Sequence, residues 1–318
     1  MKHIHRYVLS ASMAISSLLS LPANSAVPLC YNVGSLGSAG NGTHAGNVLV
    51  YQPGVLSGGP DYSAHYDGTG ARTTIPWQAA LNPASGSPFT VEFWAKPEAS
   101  DNDDCQLFNR VSSGNRSGWA FFQRAAGTGW NWRMYNGNGS TVGFDLTGGT
   151  ANLDQWSHVV GVWDGSSAKL YVNGVDTGAA NVGAGGYVAS TAATWSVGSY
   201  DTGATSSTGY VDDIAFYGTA LSPAQILAHY NAASSTQPGA YSALVRAHGA
   251  ILYMDQNPPA VSIATVGANT TVTYTGILSQ SSDITAPLWS STWTEPGGSS
   301  PYTVPGPLSG AAFFRSHR

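Results

Sequence analysis

Hydrophobic and polar residues alternate in a series of short segments from Phe89 onward. In residues 89–94 the odd positions hold Phe, Val and Phe, and the even positions hold Thr, Glu and Trp. Asn173-Gly174 is a strong hairpin signal, because type I′ turns need positive φ at both central residues. Strands at roughly ten-residue spacing, with no helices between them, predict an all-β antiparallel sandwich or jelly roll. The other predicted strands cover residues 119–123, 130–135, 156–163, 169–172, 195–197 and 210–217.

One helix is well marked after the last of these strands. Ser222 is a favourable N-cap, Pro223 takes the first helical position, and Gln225 completes a capping box. Leu221 and Ile226 supply a hydrophobic staple across the same N-terminus. The sequence therefore predicts a short helix that docks on the sandwich.

The composition of the chain changes after this helix. Residues 234–259 predict a linker followed by a short apolar segment that ends in prolines. Residues 260–318 predict a small β module, with strand-like alternation at 271–275. A module of about 55 residues is marginally stable alone, so we expect it to pack on the main domain.

The charge content of the chain limits its partners and its location. Charged residues make up 9% of the chain, against about 25% in an average soluble domain. With 12 Lys and Arg residues and a net charge of -5, the chain has no basic stripe that could bind a nucleic acid. Residues 1–26 have a basic start, a short apolar run and a small residue at the end, which is typical of a signal peptide. We therefore expect a secreted, extracellular or periplasmic protein without a membrane span.

The two cysteines, Cys30 and Cys105, allow two interpretations. Export makes a disulfide between them chemically possible. In the chain-entropy model, closing this loop would stabilise the fold by roughly 4 to 5 kcal/mol. Two independent thiols are the alternative.

Five segments, in this order, resemble those of a known family: YDGTG at 66–70, FTVEFWAKP at 89–97, WSHVVGVWDG at 156–165, LYVNG at 170–174, and GYVDDIAFY at 209–217 followed by ALSPAQI at 220–226. Together they resemble the laminin-G-like (concanavalin A-like) jelly-roll domain over residues 27–233. The resemblance implies a concanavalin A-like antiparallel jelly-roll sandwich. Residues 240–256 resemble the opening of a second repeat that is cut short. The tail is similar to a small β module typical of bacterial exported proteins.

The resemblance also implies a structural Ca²⁺ site, since jelly rolls of this class often hold this ion through oxygen ligands. Asp212 lies where related carbohydrate-active jelly rolls have an aspartate. Strand alternation places Asp212 with Ile214 and Phe216, facing a core, and Asp213 on the other side. An aspartate in a core needs a cation, an arginine or several N–H donors. A hydrogen-bonded structural aspartate is the alternative.

Residues 130–135 supply the candidate ligand-binding residues. Trp130 and Trp132 alternate with Asn131, Arg133 and Tyr135. Sugar rings stack on aromatic faces, and their hydroxyls bond to amide and guanidinium groups. We therefore predict that Trp130, Trp132, Arg133 and Tyr135 bind a polysaccharide or a cell-surface glycan. The alternative is that these aromatic residues fill the sandwich core.

The carboxylate pattern argues against catalysis. Retaining glycoside hydrolases need two carboxylates about 5 to 5.5 Å apart, whereas this chain has only Glu92, Glu98 and Glu295 and no E-x-D-x-E run. Glu92 and His158 match family positions, so we interpret them as pairing and packing residues, and no catalytic residue is assigned. We predict an exported carbohydrate- or surface-binding protein of the adhesion type. A polysaccharide lyase or a glycoside hydrolase on the same jelly roll is the alternative.

Overall fold

The structure is a computed structural model, and it describes most of the chain between Cys30 and Asn257. Within that part, residues 100–102, 112–113 and 125–127 lie outside the description. After residue 260 it describes the backbone of five short strands. The predicted signal peptide, residues 1–26, lies outside the described residues.

The described part up to residue 257 contains fifteen strands and two α-helices, with short 3₁₀ turns at Gly37–Gly40 and Ala79–Leu81. In chain order these are β1 (Thr43–Ala45), β2 (Leu49–Pro53), β3 (Tyr62–Asp67), β4 (Arg72–Ile75), β5 (Phe89–Pro97), β6 (Asp104–Arg110), β7 (Ser117–Gln123), β8 (Trp130–Asn136), β9 (Val142–Gly148), β10 (Ser157–Trp163), β11 (Ala168–Val172), β12 (Val175–Asp176), β13 (Trp195–Val197), β14 (Thr208–Tyr217), α1 (Pro223–Ala232), α2 (Ala240–Ala247) and β15 (Leu252–Met254).

The strands form two antiparallel sheets that face each other. The seven-stranded sheet has the order β1-β4-β13-β6-β7-β8-β9. The eight-stranded sheet has the order β12-β11-β10-β5-β14-β3-β2, and β15 pairs with β14. Several strands that are neighbours in a sheet, such as β13 and β6 or β5 and β14, come from distant parts of the chain, as in a jelly roll. The predicted all-β jelly-roll sandwich is confirmed.

Aromatic rings fill the space between the two sheets. Phe121 and Trp132 stack with ring centroids 5.3 Å apart, and Phe93 meets Phe121 edge to face at 5.2 Å. On the opposite sheet, Gly161 allows these rings to approach, because a Cβ atom there would lie 2.6 Å from Phe121 and 2.8 Å from Trp132. A larger residue at this position would separate the sheets.

The two helices cover the outer face of the eight-stranded sheet, where their buried residues pack against buried strand residues such as Trp94. The predicted helix start is confirmed, because the Ser222 side chain accepts a hydrogen bond from the Gln225 N–H and the Gln225 side chain accepts one from the Ser222 N–H. Leu221 and Ile226 on either side of the cap are both buried in the layer beneath α1. This layer fixes the helices on one side of the molecule.

The segment predicted as a linker and truncated repeat, residues 234–259, has a different structure. It contains α2, which buries Tyr241 and Val245 against the eight-stranded sheet, and β15, which pairs with β14. The backbone N–H of Val33 donates a hydrogen bond to the carbonyl oxygen of Tyr253, so this segment also contacts the first described residues of the chain. The boundary predicted at residue 233 is therefore corrected. Residues 240–254 are part of the packed sandwich, because their apolar residues are buried in it.

The structure describes five strands after residue 260, and the small β module predicted there stays a prediction. Strands β16, β17 and β19 form one antiparallel sheet, and β18 pairs with β20. The packing of this module on the sandwich stays a prediction. The strands are β16 (Val261–Val266), β17 (Asn269–Tyr274), β18 (Ile277–Ser281), β19 (Tyr302–Thr303) and β20 (Phe313–His317).

The cysteines are both buried free thiols, so the disulfide considered from the sequence is not formed. Cys30 lies in the core between the sheets, where its thiol is 3.4 Å from the side-chain oxygen of Gln256. Cys105 belongs to a separate cluster with Phe108 and Phe122. The seven-stranded sheet separates the two thiols. No helix among the described residues is long and apolar enough to cross a membrane.

Candidate functional site

Trp130 and Trp132 are fully buried in the core between the sheets. Trp132 stacks on Phe121, and the ring centroid of Trp130 lies 6.2 Å from that of Phe93. The prediction that these two tryptophans bind a ligand is corrected, because neither ring has an accessible face. Alternation shows which residues share a face of a strand, but it does not show which face meets the second sheet.

Arg133 and Tyr135 lie on the other side of β8, on the outer face of the seven-stranded sheet. Helices α1 and α2 pack on the eight-stranded sheet, so neither of them covers this outer face. On this face, Phe108 and Phe122 belong to a small cluster of buried apolar side chains. Tyr200, on the loop after β13, packs on Phe108 with ring centroids 4.7 Å apart. Of the four predicted ligand-binding residues, Arg133 and Tyr135 therefore lie on this side of the sheet, where Arg133 is partly exposed and Tyr135 is 3% exposed.

Arg133 is held in place by acidic residues and by an aromatic ring. Its Nη2 atom lies 3.0 Å from Oδ2 of Asp103, and its Nε atom lies 3.5 Å from Oδ2 of Asp145. Its guanidinium lies 4.8 Å from the ring centre of Phe122, which suits a cation–π contact. Burial opposes the charged form, but the attraction of Asp103 and Asp145 outweighs it and raises the pKa of Arg133. Arg133 is thus a fixed cation with its charge balanced locally.

Arg110 is a second arginine on this face, at the end of β6. Its guanidinium lies among three rings, at 5.1 Å from Phe108, 4.9 Å from Tyr135 and 5.1 Å from Tyr200. The residue is 3% exposed. Gly118 on the intervening strand pairs with both Arg110 and Tyr135, so no side chain separates the guanidinium from the Tyr135 ring.

A cluster of three carboxylates forms a second candidate site on the opposite sheet. One oxygen each from Asp61, Asp212 and Asp213 lies within 4.8 Å of the others. A β-bulge interrupts the pairing of β14 with β5 after Asp212, and Asp213 has a φ of 45°. Because Val211 before the bulge and Ile214 after it both face the core, Asp212 and Asp213 both point away from it.

The predicted orientations of the two aspartates in β14 are therefore corrected. Asp212 does not share a face with Ile214 and Phe216, and Asp213 does not face the other way from Asp212. The bulge inserts an extra residue, which shifts the alternation by one position. The sequence identified Asp212 as a candidate metal ligand, and the structure adds Asp61 and Asp213 to it.

The cluster lies where β14 changes partners, from β3 up to Val211 to β15 from Ile214 onward. Oδ2 of Asp212 accepts a hydrogen bond from the N–H of Val55 at 3.1 Å. Tyr253 donates to Oδ1 of Asp213 at 2.6 Å. A cavity of about 140 Å³ adjoins the cluster, with Asp61 and Tyr253 in its wall.

The carboxylates of this cluster repel one another in a buried setting. Burial raises the pKa of Asp61 to about 6. Burial and the neighbouring carboxylates raise the pKa values of Asp212 and Asp213 well above the usual range. Oδ1 of Asp61 and Oδ2 of Asp213 are buried and have no hydrogen-bond partner among the described residues. Such a group needs either protons or a cation, and its all-oxygen donor set suits Ca²⁺.

Glu92 and His158, interpreted from the sequence as pairing and packing residues, are both fully buried beneath the helices. The Glu92 carboxylate accepts hydrogen bonds from Tyr217 at 2.5 Å and from Nδ1 of His229 at 2.9 Å. His158 lies 3.4 Å from it and stacks on Trp94. Burial alone would raise the pKa of Glu92, but the attraction of His229 outweighs it and holds the pKa below the usual range. This network joins α1 to β5 and β14, which is a structural role.

Three residues of the candidate sites, Arg110, Asp61 and Asp213, were not predicted as site residues from the sequence. Arg110 ends a strand whose polar and apolar residues do not alternate, so β6 was not predicted. Asp61 precedes β3 by one residue and lies about 150 residues from Asp212 in the chain. Asp213 was assigned to the wrong side because the bulge has no clear sequence signal. The two consecutive aspartates, Asp212 and Asp213, were the sequence signal for a site at this position.

Several solved structures are similar to part of this chain. Among solved structures, the chain is similar to domain 4 of AbnA, a GH43 extracellular arabinanase from Geobacillus stearothermophilus, in complex with arabinotriose. That match has 19% identity and a TM-score of 0.42, and it covers 65% of this chain and 98% of that one. The binding domain of Paraclostridial Mosquitocidal Protein 1 matches with 15% identity and a TM-score of 0.44. That match covers 64% of this chain, which spans only 51% of the toxin domain. No curated protein matches the chain.

The family assignment rests on a sequence match. The family model Laminin_G_3, which describes the concanavalin A-like lectin/glucanases superfamily, matches residues 67–227, about half of the 318-residue chain. The matched region runs from the end of β3 into α1 and includes Arg110, Arg133 and Asp212. The chain therefore belongs to the concanavalin A-like lectin/glucanases superfamily.

Proposed function

We propose that this protein is an exported carbohydrate- or surface-binding protein of the adhesion type, without catalytic activity, and that its ligand binds on the outer face of the seven-stranded sheet. The observation that carries the proposal is the fixed guanidinium of Arg133, held over Phe122 by Asp103 and Asp145 on a face that the helices leave uncovered. Fixed donors suit sugar hydroxyls, and the partly exposed ring of Tyr200 on the same face suits sugar C–H surfaces. The arrangement costs a ligand little ordering entropy, because the donors are already held in place.

Binding fits this face better than hydrolysis does. A glycoside hydrolase needs one carboxyl group that delivers a proton to the leaving oxygen, and a second carboxylate opposite it. Here Asp103 and Asp145 both contact the same guanidinium, and Asn131 donates a further hydrogen bond to Asp145 at 2.5 Å. These contacts engage the two carboxylates as partners of Arg133 rather than as proton donors to a substrate.

Affinity electrophoresis through gels that contain single polysaccharides tests this function. We expect at least one polysaccharide to retard the protein, and Arg133→Ala to reduce that retardation. Asp176→Asn, which changes an exposed residue on the other sheet, serves as the control and should leave the retardation unchanged. Release of reducing ends, or of unsaturated products from uronate polymers, would show that the protein is an enzyme instead. Absence of retardation by every polymer would reject a glycan ligand.

The carboxylate cluster would hold Ca²⁺ through Asp61, Asp212 and Asp213, with a structural role. The support is the pair of buried carboxylate oxygens that have no partner among the described residues, together with the raised pKa values of all three groups. A bound ion would offset the repulsion between these carboxylates and tie the segment before β3 to β14.

Thermal unfolding with and without a chelator tests this site. A ligand present at 100 times its Kd stabilises a fold by about 2.7 kcal/mol, so we expect chelation to lower the unfolding temperature and added Ca²⁺ to restore it. Asp212→Asn keeps the size of the side chain and should abolish the difference. Asp176→Asn should preserve it. An unchanged unfolding temperature after chelation would reject the site.

A further inference from the structure

The two arginines on the outer face of the seven-stranded sheet differ in their charge partners. Arg133 lies within 3.5 Å of carboxylate oxygens of Asp103 and Asp145. Arg110 is 3% exposed, and no carboxylate among the described residues forms an ion pair with it. Its Nε atom is buried and has no hydrogen-bond partner in that part of the chain. Arg110 is therefore a desolvated cation without an ion-pair partner among the described residues.

The rings around Arg110 do not replace the missing anion. A cation–π contact contributes about 0.5 to 2 kcal/mol. Three ring centres lie 4.9 to 5.1 Å from the Arg110 guanidinium. Ring faces do not accept the in-plane N–H of Nε, which has no hydrogen-bond partner among the described residues. Leaving a buried charged donor unsatisfied costs free energy. An anion that bonds to this donor would recover it.

The strand register leaves no side chain between Arg110 and Tyr135. Across β6, β7 and β8, Arg110 pairs with Gly118 and Gly118 pairs with Tyr135. In the next row Ala120 lies between Phe108 and Arg133. The middle strand thus contributes Gly118, Ala120 and Phe122 to this face, and its neighbours contribute arginine and aromatic side chains. The glycine is the position beside the Arg110 guanidinium at which β7 adds no side chain.

We infer that Arg110 binds the anionic group of an acidic glycan, a carboxylate or a sulfate carried on a sugar ring. A guanidinium presents a planar set of donors that matches two oxygens of such a group at once. The half-buried ring of Tyr200 beside it offers a surface for the sugar that carries the charge. Arg133 is less suited to bind such an anion, because the carboxylates of Asp103 and Asp145 already contact its guanidinium. The inference rests on the proposed function, since it names the ligand class of the same face.

The test compares how strongly the native protein binds charged polymers and their neutral counterparts. This comparison needs no variant. Retardation is measured in gels that contain polygalacturonate or carboxyl-reduced polygalacturonate, and in gels that contain dextran sulfate or dextran. We expect the protein to bind the charged member of at least one pair about 10- to 100-fold more tightly than the neutral member, as for a charge-assisted hydrogen bond. The first pair reports a carboxylate and the second a sulfate.

Variants then assign the preference to Arg110. Arg110→Gln removes the charge and should remove the preference for the charged polymer, with binding to the neutral polymer retained. Arg110→Lys keeps the charge but not the planar donor set, and should lose most of the preference. Arg246→Gln is the matched control, because it makes the same change in net charge on α2, which covers the other sheet. It should leave the preference intact.

Each outcome separates this inference from the proposed function. Equal binding to charged and neutral polymers, or a full preference in a folded Arg110→Gln variant, would overturn the inference and leave glycan binding standing. If Arg110→Gln does not fold, the Arg110→Lys variant and the polymer pairs still decide the question. If no polymer binds at all, both the proposed function and the inference fail.

Discussion

The buried carboxylate of Glu92 provides the sharpest test of how the helices are held on the eight-stranded sheet. We predict that Glu92→Gln destabilises the fold strongly although it changes neither the size nor the shape of the side chain. In the native protein, Oε1 accepts from Tyr217 at 2.5 Å and from Tyr241 at 3.5 Å, and Oε2 accepts from Nδ1 of His229 at 2.9 Å. Glutamine replaces one of these oxygens with an NH₂ group, so a donor then faces a donor.

The size of the effect follows from burial. Glu92 and His229 are both fully buried, so water cannot take over the lost contacts. Removing one partner of a buried, hydrogen-bonded charge pair costs about 3 to 5 kcal/mol. For a domain of this size each kcal/mol lowers the unfolding temperature by about 2 to 4 °C. We therefore expect the unfolding temperature to fall by roughly 10 °C. The free energy of unfolding measured in urea should fall by about 3 to 5 kcal/mol.

The dependence on pH gives a second check. The pKa of Glu92 is lower in the folded protein than its ordinary value, because the attraction of His229 outweighs burial. The stabilisation by this carboxylate is therefore complete above its unfolded-state pKa of about 4.3, and it is lost as the pH falls toward the folded-state pKa. The gap between the native protein and Glu92→Gln in the free energy of unfolding should narrow as the pH falls below about 4.3.

Glu98 supplies a control of the same chemistry at the surface. Its carboxylate also contacts a histidine, His65, at 2.8 Å, but 34% of the Glu98 side chain is exposed. Exposed ion pairs contribute about 0 to 1 kcal/mol, so Glu98→Gln should change the stability little. If Glu92→Gln and Glu98→Gln cost the same, or if the Glu92→Gln gap does not narrow at acid pH, the proposed role of the buried carboxylate is wrong.

Three further predictions concern packing and the chain ends. Trp132→Ala should lower the free energy of unfolding by about 3 to 5 kcal/mol in urea, because the fully buried ring leaves a cavity between the sheets. Cys30 and Cys105 should react with a thiol reagent only after denaturation, and a non-reducing gel should show no intramolecular bond, because both thiols are buried and free. A chain that ends at Gly239 should be insoluble, because it lacks α2 and β15, whereas one that ends at Asn257 should unfold cooperatively when followed by circular dichroism.

Local patterns were sufficient to predict most of the sandwich. The strands around residues 89–94 and 156–163 alternate strongly, and the Ser222 cap is a short-range signal that needs no tertiary information. Strand β6 was missed because its sequence, DCQLFNR, contains a bulge and no regular alternation. The α2 segment was misassigned because a helix of eight residues is too short to be predicted well from sequence, and because its partners lie on distant strands.

The candidate sites were harder to predict because they depend on faces and on long-range pairing. Residues 130–135 have aromatic residues on both sides of the strand, so the alternation alone did not distinguish the buried Trp132 from the outward Arg133. Asp212 was found through family resemblance, but its neighbours Asp61 and Asp213 depend on a bulge and on the junction of β3 and β15. Neither the bulge nor the junction has a sequence signal that a single chain reveals.

The two buried charges on opposite sheets differ in the groups that surround them. Glu92 lies beneath the helices, and two tyrosines and a histidine satisfy its oxygens, so its charge stabilises the fold by itself. Arg110 lies on the opposite sheet among three rings, with no carboxylate partner in the described part of the chain. A leucine or methionine among those rings would avoid the cost of desolvating the charge. Its contacts within the fold therefore account for Glu92, whereas for Arg110 we propose an external anion as the partner.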